Sequence, residues 1–259
     1  MRKQRIDGQE TRQRLLEAAC MVFAEKGFWE TTNADICEKA KVNIAGVNYH
    51  FGSKEGLYRE TIRFARERAY ESYPTTYGLA ADASPEQQLR AFVRSFLLRI
   101  FDKGSTAWFG KMMSREMVEP TAALNALLET RMRPMAALLG GIVAEILGCP
   151  PPAWTGPEPT AKPTPANQRR PESGAGLLRR GEGPDDEKVR LGCFSIVSQC
   201  VFFHHCRTMI SRLFPEQRLD AEAVEQLAGH VTRFSLAALQ HLPDAKPAKS
   251  RHRGRQHFG

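Results

Sequence analysis

Between Leu89 and Phe101, apolar side chains recur at every third or fourth position: Leu89, Phe92 and Val93, Phe96 and Leu97, Ile100 and Phe101. That period gathers them on one broad stripe of an α-helix, whereas alternating strand positions would split them between two faces. A helix of this kind must be covered by other elements. The rest of the chain repeats the pattern. Leu15, Ala18 and Ala19, Val22 and Phe23 mark a first helix, with a start signal in Asp7 and Glu10 and a stop at Gly27. Thr32, with Asp35 three residues on, predicts a short helix to about Ala40. A second short helix is expected from near Asn43 to Phe51-Gly52, and Ser53-Lys54-Glu55 opens a fourth to about Tyr70. Residues 71–84 read as loop.

Beyond the Leu89–Phe101 stripe, Ala107–Val118 reads as a short helix rich in Met and Trp. Another starts at Pro120, with Leu124, Leu128, Met132, Met135, Leu139, Ile142 and Ile146 on one face and a kink expected at Pro134. Prolines crowd residues 150–184 among Gly, Ser and charge, which predicts a disordered insertion, because such a composition cannot bury enough apolar area to offset chain entropy. Helices are expected again over about 185–212 and 216–240. No useful run alternates as a strand does, so the expected fold class is all-α.

Composition narrows the function classes. With 259 residues, 42% of them hydrophobic, the chain suits one large domain or two modest ones with a sizeable core. No stretch reaches the ~18 apolar residues of a membrane helix. The nearest, Met135–Leu147, is interrupted by Glu145, and no signal-peptide core follows the basic Met1–Arg5, so a cytoplasmic protein is expected. The six cysteines form no CxxC pair and read as small buried hydrophobes. The net charge of +8 divides into +3 within residues 1–5 and +5 within 246–259, which leaves the remainder neutral. Such tails attract polyanions without sequence preference, so charge alone does not establish specific DNA binding.

The segment Thr31–Tyr58 is more informative. Two short helices flank a tight turn near Lys41-Val42, the spacing of a helix-turn-helix. In that arrangement the second helix enters the major groove of double-stranded DNA, led by its N-terminal residues. The run TTNADICEKAKVNIAGVNYHFGSKEGLY resembles the DNA-binding signature of TetR/AcrR-type bacterial regulators. Phe23 and Gly27, Thr32, Ile36 and Ala40, Val42 and Val47, Tyr49-His50-Phe51, Lys54-Glu55 and Leu57-Tyr58 all match that pattern. Lys41 and Asn48 depart from it, standing where the family carries Gly and an aromatic. The implied organisation is a three-helix DNA-binding domain over 1–60, a helical ligand-sensing and dimerisation domain over 61–245, and a basic tail over 246–259.

Within that segment, Thr32 and Lys54 sit near helix N-termini, where backbone N–H groups and a cation can hold phosphates. Asn43 can cap the recognition helix or contact DNA, and Ala45 and Gly46 are small enough to allow close approach to the groove. The Asn48 amide can pair with adenine. The resemblance implies that Tyr49 and His50 hold phosphate or bases. The other reading is that they pack on the fourth helix.

A weaker resemblance covers most of residues 85–241. Ala107-Trp108, Ser114–Ala122, Leu191–Phe203 and His230–Leu239 are similar to a TetR subgroup called CerR or CecR, which implies control of transport or drug-efflux genes. Trp108, Phe109, Met112, Met113 and Met117 offer a soft apolar surface for a small-molecule effector, with Phe202 nearby in the later matching run. The same residues at helical spacing could equally be core. Arg115 and Glu116 are either polar handles for the effector or a structural ion pair. The resemblance also implies a homodimer built from helices 185–212 and 216–240, with Gly192, Ser195, Ser198, Ala228 and Ala237 allowing close approach, and a palindromic operator to match.

Three rivals remain. Cys200 and His204 share a helix face and could bind a metal, but a complete ligand set is not apparent, so neither metal nor cofactor is expected. No Gly-rich phosphate loop, GxSxG or HExxH is present, so no enzyme is expected. The expected function is a repressor released from its operator by a small apolar or amphipathic ligand that shifts the fourth helix. The alternative is a ligand-independent dimeric DNA-binding protein or an activator.

Overall fold

The structure is a computed structural model and describes residues 2–76, 78–80, 82–155, 184–220 and 222–241. Helix α1 (Arg2–Glu30) starts ahead of the expected Asp7–Glu10 signal, which therefore lies inside the helix rather than at its cap. Gly27 does not end α1. It breaks the helical path at φ 81° and ψ 177°, a conformation open to glycine, and one further turn follows.

Helix α2 (Asn33–Ala40) has the capping box expected from Thr32 and Asp35. Helix α3 (Ala45–Phe51) is followed by α4 (Lys54–Ser72), whose N-cap Ser53 accepts from the Gly56 amide. Ser84 caps α5 (Pro85–Phe101), and α6 (Ala107–Glu116) follows. The long helix expected from Pro120 is instead α7 (Ala122–Leu127), a π-helical turn (Leu128–Met132) and α8 (Arg133–Leu147). Pro134 sits in the first turn of α8, where its missing N–H costs nothing, and the π turn takes up the irregularity.

Of the two last expected helices, one is divided and the other shortened. The first breaks at Cys206 into α9 (Pro184–His205) and α10 (Arg207–Leu213). The second, α11, begins only at Val224 and ends at Gln240. The preceding residues are held as turns by Arg218, which bridges Asp220 at 2.8 Å and Glu222, while Asp220 accepts from the Ala223 amide at 3.0 Å. Residues 156–183 of the expected insertion, and the basic tail at 246–259, lie outside the described residues. Among the described residues there is no strand, and no helix is long and apolar enough to cross a membrane.

Two apolar cores result. The first joins Leu15 and Phe23 of α1, Ile36 of α2, Val47 of α3 and Leu57 of α4 to Met112 of α6 and Leu127 of α7. The second joins the α5 stripe to Leu139 of α8, Ile196 of α9 and Val231 of α11. Residues 60 and 61 both lie in the uninterrupted α4, whose Ile62 and Ala65 belong to the first core. Four of the six cysteines (Cys20, Cys37, Cys193 and Cys200) are buried, and burial pushes the Cys20, Cys193 and Cys200 thiols up to about 12. The small residues of α9 and α11 divide. Gly192 and Ala228 face inward, and a Cβ at Gly192 would meet Leu239 at 3.0 Å and Val143 at 3.2 Å. Ser195, Ser198 and Ala237 lie on the exposed side.

Candidate DNA-binding surface and effector cavity

The α2–α3 turn is built from local hydrogen bonds. Lys41 takes the left-handed conformation (φ 55°, ψ 47°), and the amides of Lys41 and Val42 donate back to Glu38 and Cys37 at 3.1 and 3.0 Å. This close to α2 explains why glycine is common at position 41 of such turns. Arg14 of α1 braces the turn by donating to the Lys41 carbonyl at 2.9 Å. The Asn43 side-chain oxygen accepts from the Ala45 amide at 2.9 Å, a turn that leads into α3 one residue ahead of its N-cap, Ile44.

From there α3 has two sides. Val47 is fully buried, and a Cβ on Gly46 would meet Val42 at 2.8 Å, so Gly46 allows α3 to pack on its own domain rather than to approach a groove. Ala45, Asn48 and Tyr49, spaced as one helix face, are exposed, Tyr49 to 84%. Tyr49 therefore does not pack on α4. His50 is half-buried and lines a cleft of about 650 Å³ with Phe51 and the basic side chains of Arg12, Arg59 and Arg63.

Thr32 and Lys54 are already engaged within the domain. The Thr32 hydroxyl accepts from the Asp35 amide at 3.1 Å and lies 2.7 Å from its carboxylate, while Lys26 donates to the same side chain at 2.8 Å. Lys26 and then Thr32 hold the Asp35 carboxyl well below the usual carboxylate range. Lys54 donates to the Thr31 carbonyl at 2.7 Å and lies 4.4 Å over the Phe28 ring. An ammonium has three donors, so two remain for a phosphate.

Between α4, α5, α6, α7, the π turn, α8 and α9 lies a predominantly apolar cavity of about 360 Å³. Its wall includes Tyr70, Phe96, Ile100, Phe109, Gly110, Met113, Met117, Met135, Val197 and Val201, with Arg66, Arg99, His204 and His205 as its charged or titratable groups. Of the eight effector residues expected from sequence, Phe109, Met113 and Met117 line it and the other five do not. The reason is helical geometry. Phe109, Gly110, Met113, Ser114 and Met117 form one face of α6 and its continuation, while Trp108, Met112, Arg115 and Glu116 fall on other sides. Met112 is fully buried in the first core, with Trp108 packed against it. Phe202, 49% exposed, points away from the cavity that its α9 neighbours Val201 and His205 line.

Arg115 and Glu116 instead join α6 to the first core, and not to each other. Glu116, 1% exposed, accepts from the Tyr58 hydroxyl of α4 at 2.7 Å, the Thr121 amide at 3.0 Å and the Thr121 hydroxyl at 2.9 Å. Burial, then the bond to Glu116, holds the Tyr58 hydroxyl above the usual phenol range. Arg115 donates to the Glu25 carbonyl and lies over Gly27, where a Cβ would meet it at 3.1 Å. Gly27 thus answers two demands, a positive φ and room for Arg115.

Among the cavity residues that sequence reasoning missed, Arg99 carries a signal of its own. Arg99 interrupts the apolar stripe of α5, one or two helical turns from Phe92, Ser95 and Phe96, and a lone charge on a buried stripe marks a site where polarity is wanted. Cys200 lies in the second core, whereas His204 borders the cavity, so the two do not face a common site.

Comparison with known proteins fits this layout. Residues 15–61 match the bacterial regulatory proteins of the tetR family, and residues 85–239 match the C-terminal domain of the HTH-type transcriptional dual regulator CecR. The chain is 30% identical over 155 residues to the CecR regulator of Shigella flexneri, a match covering 56% of this chain and 68% of that one. Among solved structures, AibR in complex with isovaleryl coenzyme A and operator DNA superimposes with a TM-score of 0.55 at 19% identity, covering 86% of this chain and 97% of that one. A TetR transcriptional regulator from Chloroflexus aurantiacus gives a TM-score of 0.54 at 19% identity, over 90% and 96%. At these identities the two structures speak to the fold alone. The two family matches follow one another along the chain, the second reaching into the first core through Met112 of α6 and Leu127 of α7, and the chain belongs to the TetR family of bacterial regulatory proteins, a DNA-binding transcriptional regulator and not an enzyme, with a C-terminal domain of the CecR type.

Proposed function

We propose that this regulator is a cytoplasmic repressor that holds a palindromic operator as a homodimer and lets go when a small apolar or amphipathic molecule enters the cavity. The observation that carries this reading is the two-sided placement of α6. One face lines the cavity, and the other carries Arg115 over Gly27 and Glu116 onto Tyr58. A ligand that favours a displaced α6 therefore also favours displaced α1 and α4, which carry the recognition helix. AibR, a structural neighbour, was solved with both an acyl-coenzyme A and operator DNA, and lends the reading support by analogy.

On the DNA side, Ala45, Asn48 and Tyr49 read the major groove, with Asn43 at the helix start. Thr32, His50 and Lys54 hold phosphates. Gly46 serves packing instead. On the dimer side, Leu191, Phe194 and Phe202 of α9 and Phe234 of α11 are large, apolar and exposed, a surface that a second copy would cover. The resemblance to CecR makes transport or drug-efflux genes the proposed targets.

The test is a fluorescence-anisotropy titration against DNA from upstream of the protein's own gene, at two salt concentrations and with excess unrelated DNA. Binding that survives the competitor, and is lost in Tyr49→Ala, supports the reading. Binding only at low salt, abolished by competitor, counts against it. Sedimentation at micromolar concentration should give a dimer.

A further inference from the structure

The cavity holds an electrostatic mismatch. Arg99 is 4% exposed and lies in its wall, yet no Asp or Glu lines that wall among the described residues. Its guanidinium is oriented from several sides. One nitrogen, Nη1, donates to the Tyr73 carbonyl at 2.7 Å and contacts the Ser95 hydroxyl, while the Tyr70 ring lies 4.3 Å from Cζ. The other terminal nitrogen, Nη2, is buried and has no hydrogen-bond partner. Arg66, whose Cζ lies 5.6 Å from the same Tyr70 ring, also lines the cavity. Arginine stays protonated in such surroundings, so a buried positive charge faces an otherwise apolar space. A buried donor left unmet is unfavourable, and a planar fork is best met by a carboxylate.

Resting on the reading of this cavity as the effector site, we propose that its ligand is an organic anion. The carboxylate, or a comparable oxyanion head, accepts from the Arg99 guanidinium, which turns to bring the closed-off Nη2 to the ligand, and the apolar body lies among Phe109, Met113, Val197 and Val201. A neutral hydrophobe would fill the space but leave the donor unmet. A cation would meet Arg66 and Arg99 with like charge. The alternative is that Arg99 is only a brace for the chain at Tyr73, in which case it would not distinguish ligands by head group.

The experiment is calorimetric titration of the full-length protein with two matched pairs: decanoate against decanol, and naphthylacetate against naphthylethanol. Each pair keeps the body and exchanges the carboxylate for a hydroxyl. Wild type should bind the acid of at least one pair more tightly than its alcohol by at least about tenfold, the size of a charge-assisted hydrogen bond. Whichever pair shows it distinguishes a straight-chain from an aromatic source. Arg99→Met should erase the preference while alcohol binding persists, and Arg99→Lys should restore part of it. Because Arg99→Met also loses the contact to Tyr73, its fold is checked by thermal unfolding, and the wild-type comparison stands without it. Alcohols binding as well as acids would overturn the anion proposal and leave the cavity as an effector site. Neither member of either pair binding, or binding that survives Val197→Trp in the cavity wall, would overturn the effector reading as well.

Discussion

The outward face of α3 and the cavity beside α5 both leave hydrogen-bonding capacity unused, but at different cost. Asn48 and Tyr49 stand in water, which satisfies their donors, so the face is stable whether or not DNA covers it. Arg99 Nη2 has neither water-exposed surface nor a partner, and a buried unmet donor costs about 1–3 kcal/mol. The exposed face can therefore be small and polar over a firm core, and discriminates by fit to base edges. The cavity discriminates by chemistry, since only an acceptor repairs its deficit. Helix α6 lines the cavity and is fastened to α1 and α4, on which α3 packs, which makes it the place where the comparison can be broken.

Removing the joint should have the largest effect. Glu116→Ala leaves the Tyr58 hydroxyl and both Thr121 donors without their acceptor in a dry site. We expect a loss of about 3 kcal/mol in urea unfolding, and about 1 kcal/mol for Tyr58→Phe, which removes one of the three bonds. A loss under 0.5 kcal/mol for Glu116→Ala, the scale of a surface change, would show that α6 is not fastened there. In Tyr58→Phe, which should stay folded, operator affinity should persist while its response to effector weakens. The second effect is confined to the α3 face. Tyr49→Ala should weaken operator binding by about tenfold or more, with thermal stability unchanged because the ring is 84% exposed. A large stability loss would mean that the ring packs after all.

The two regions were also unequally legible in the sequence. The first core and the helix-turn-helix follow from local signals: the Thr32–Asp35 box, the Asn43 turn and the Ser53 cap, and the buried Ile36, Val47 and Leu57 at helical spacing. Each of these is settled within a few residues. The cavity is not local. Its wall takes side chains from six helices and the π turn, and the choice between Met112, in the core alone, and Met113, in the core and at the cavity wall, turns on about 100° of rotation of a ten-residue helix. Composition marked α6 as soft and apolar without showing which side faced what. The same limit applied to Glu116, whose partners Tyr58 and Thr121 only the packing of α4 and α6 could reveal. Helix ends in the C-terminal half were misplaced where side-chain pairs such as Arg218–Asp220 outweighed apolar spacing.

A third effect belongs to the cavity side. Burial first, then the charges of Arg207 and His205, lowers His204 to about 4 from an ordinary 6.5. The unfolded chain takes up a proton near 6.5 that the folded chain refuses until about 4. The unfolded state thus binds more protons in that window, and the stability it contributes is present above pH 6.5 and lost as pH falls to about 4. Discounted for the partial exposure of the ring, the loss should be about 1 kcal/mol. Urea melts at the two ends of the window should differ by about that much more in wild type than in His204→Gln. Equal differences would mean that the ring is solvated in both states.

The smallest expected effect returns to the α3 side and has the opposite sign. Lys41 holds a left-handed conformation that costs an L-residue about 1–2 kcal/mol, and Cα hydrogens alone would relieve it. Glycine also gives the unfolded chain more freedom, which takes back part of the gain. Lys41→Gly should therefore stabilise the protein by about 0.5–1 kcal/mol. Operator affinity at high salt should hold, because Val47, Gly46 and the Asn43 turn still set the pose of α3. If the Lys41 ammonium touches a phosphate, the slope of log affinity against log salt should fall by about 1. Higher stability with an unchanged slope would make Lys41 purely a cost to the turn. Lower stability would show that the lysine stem packs, and that the α3 face depends on its surroundings as much as the cavity does.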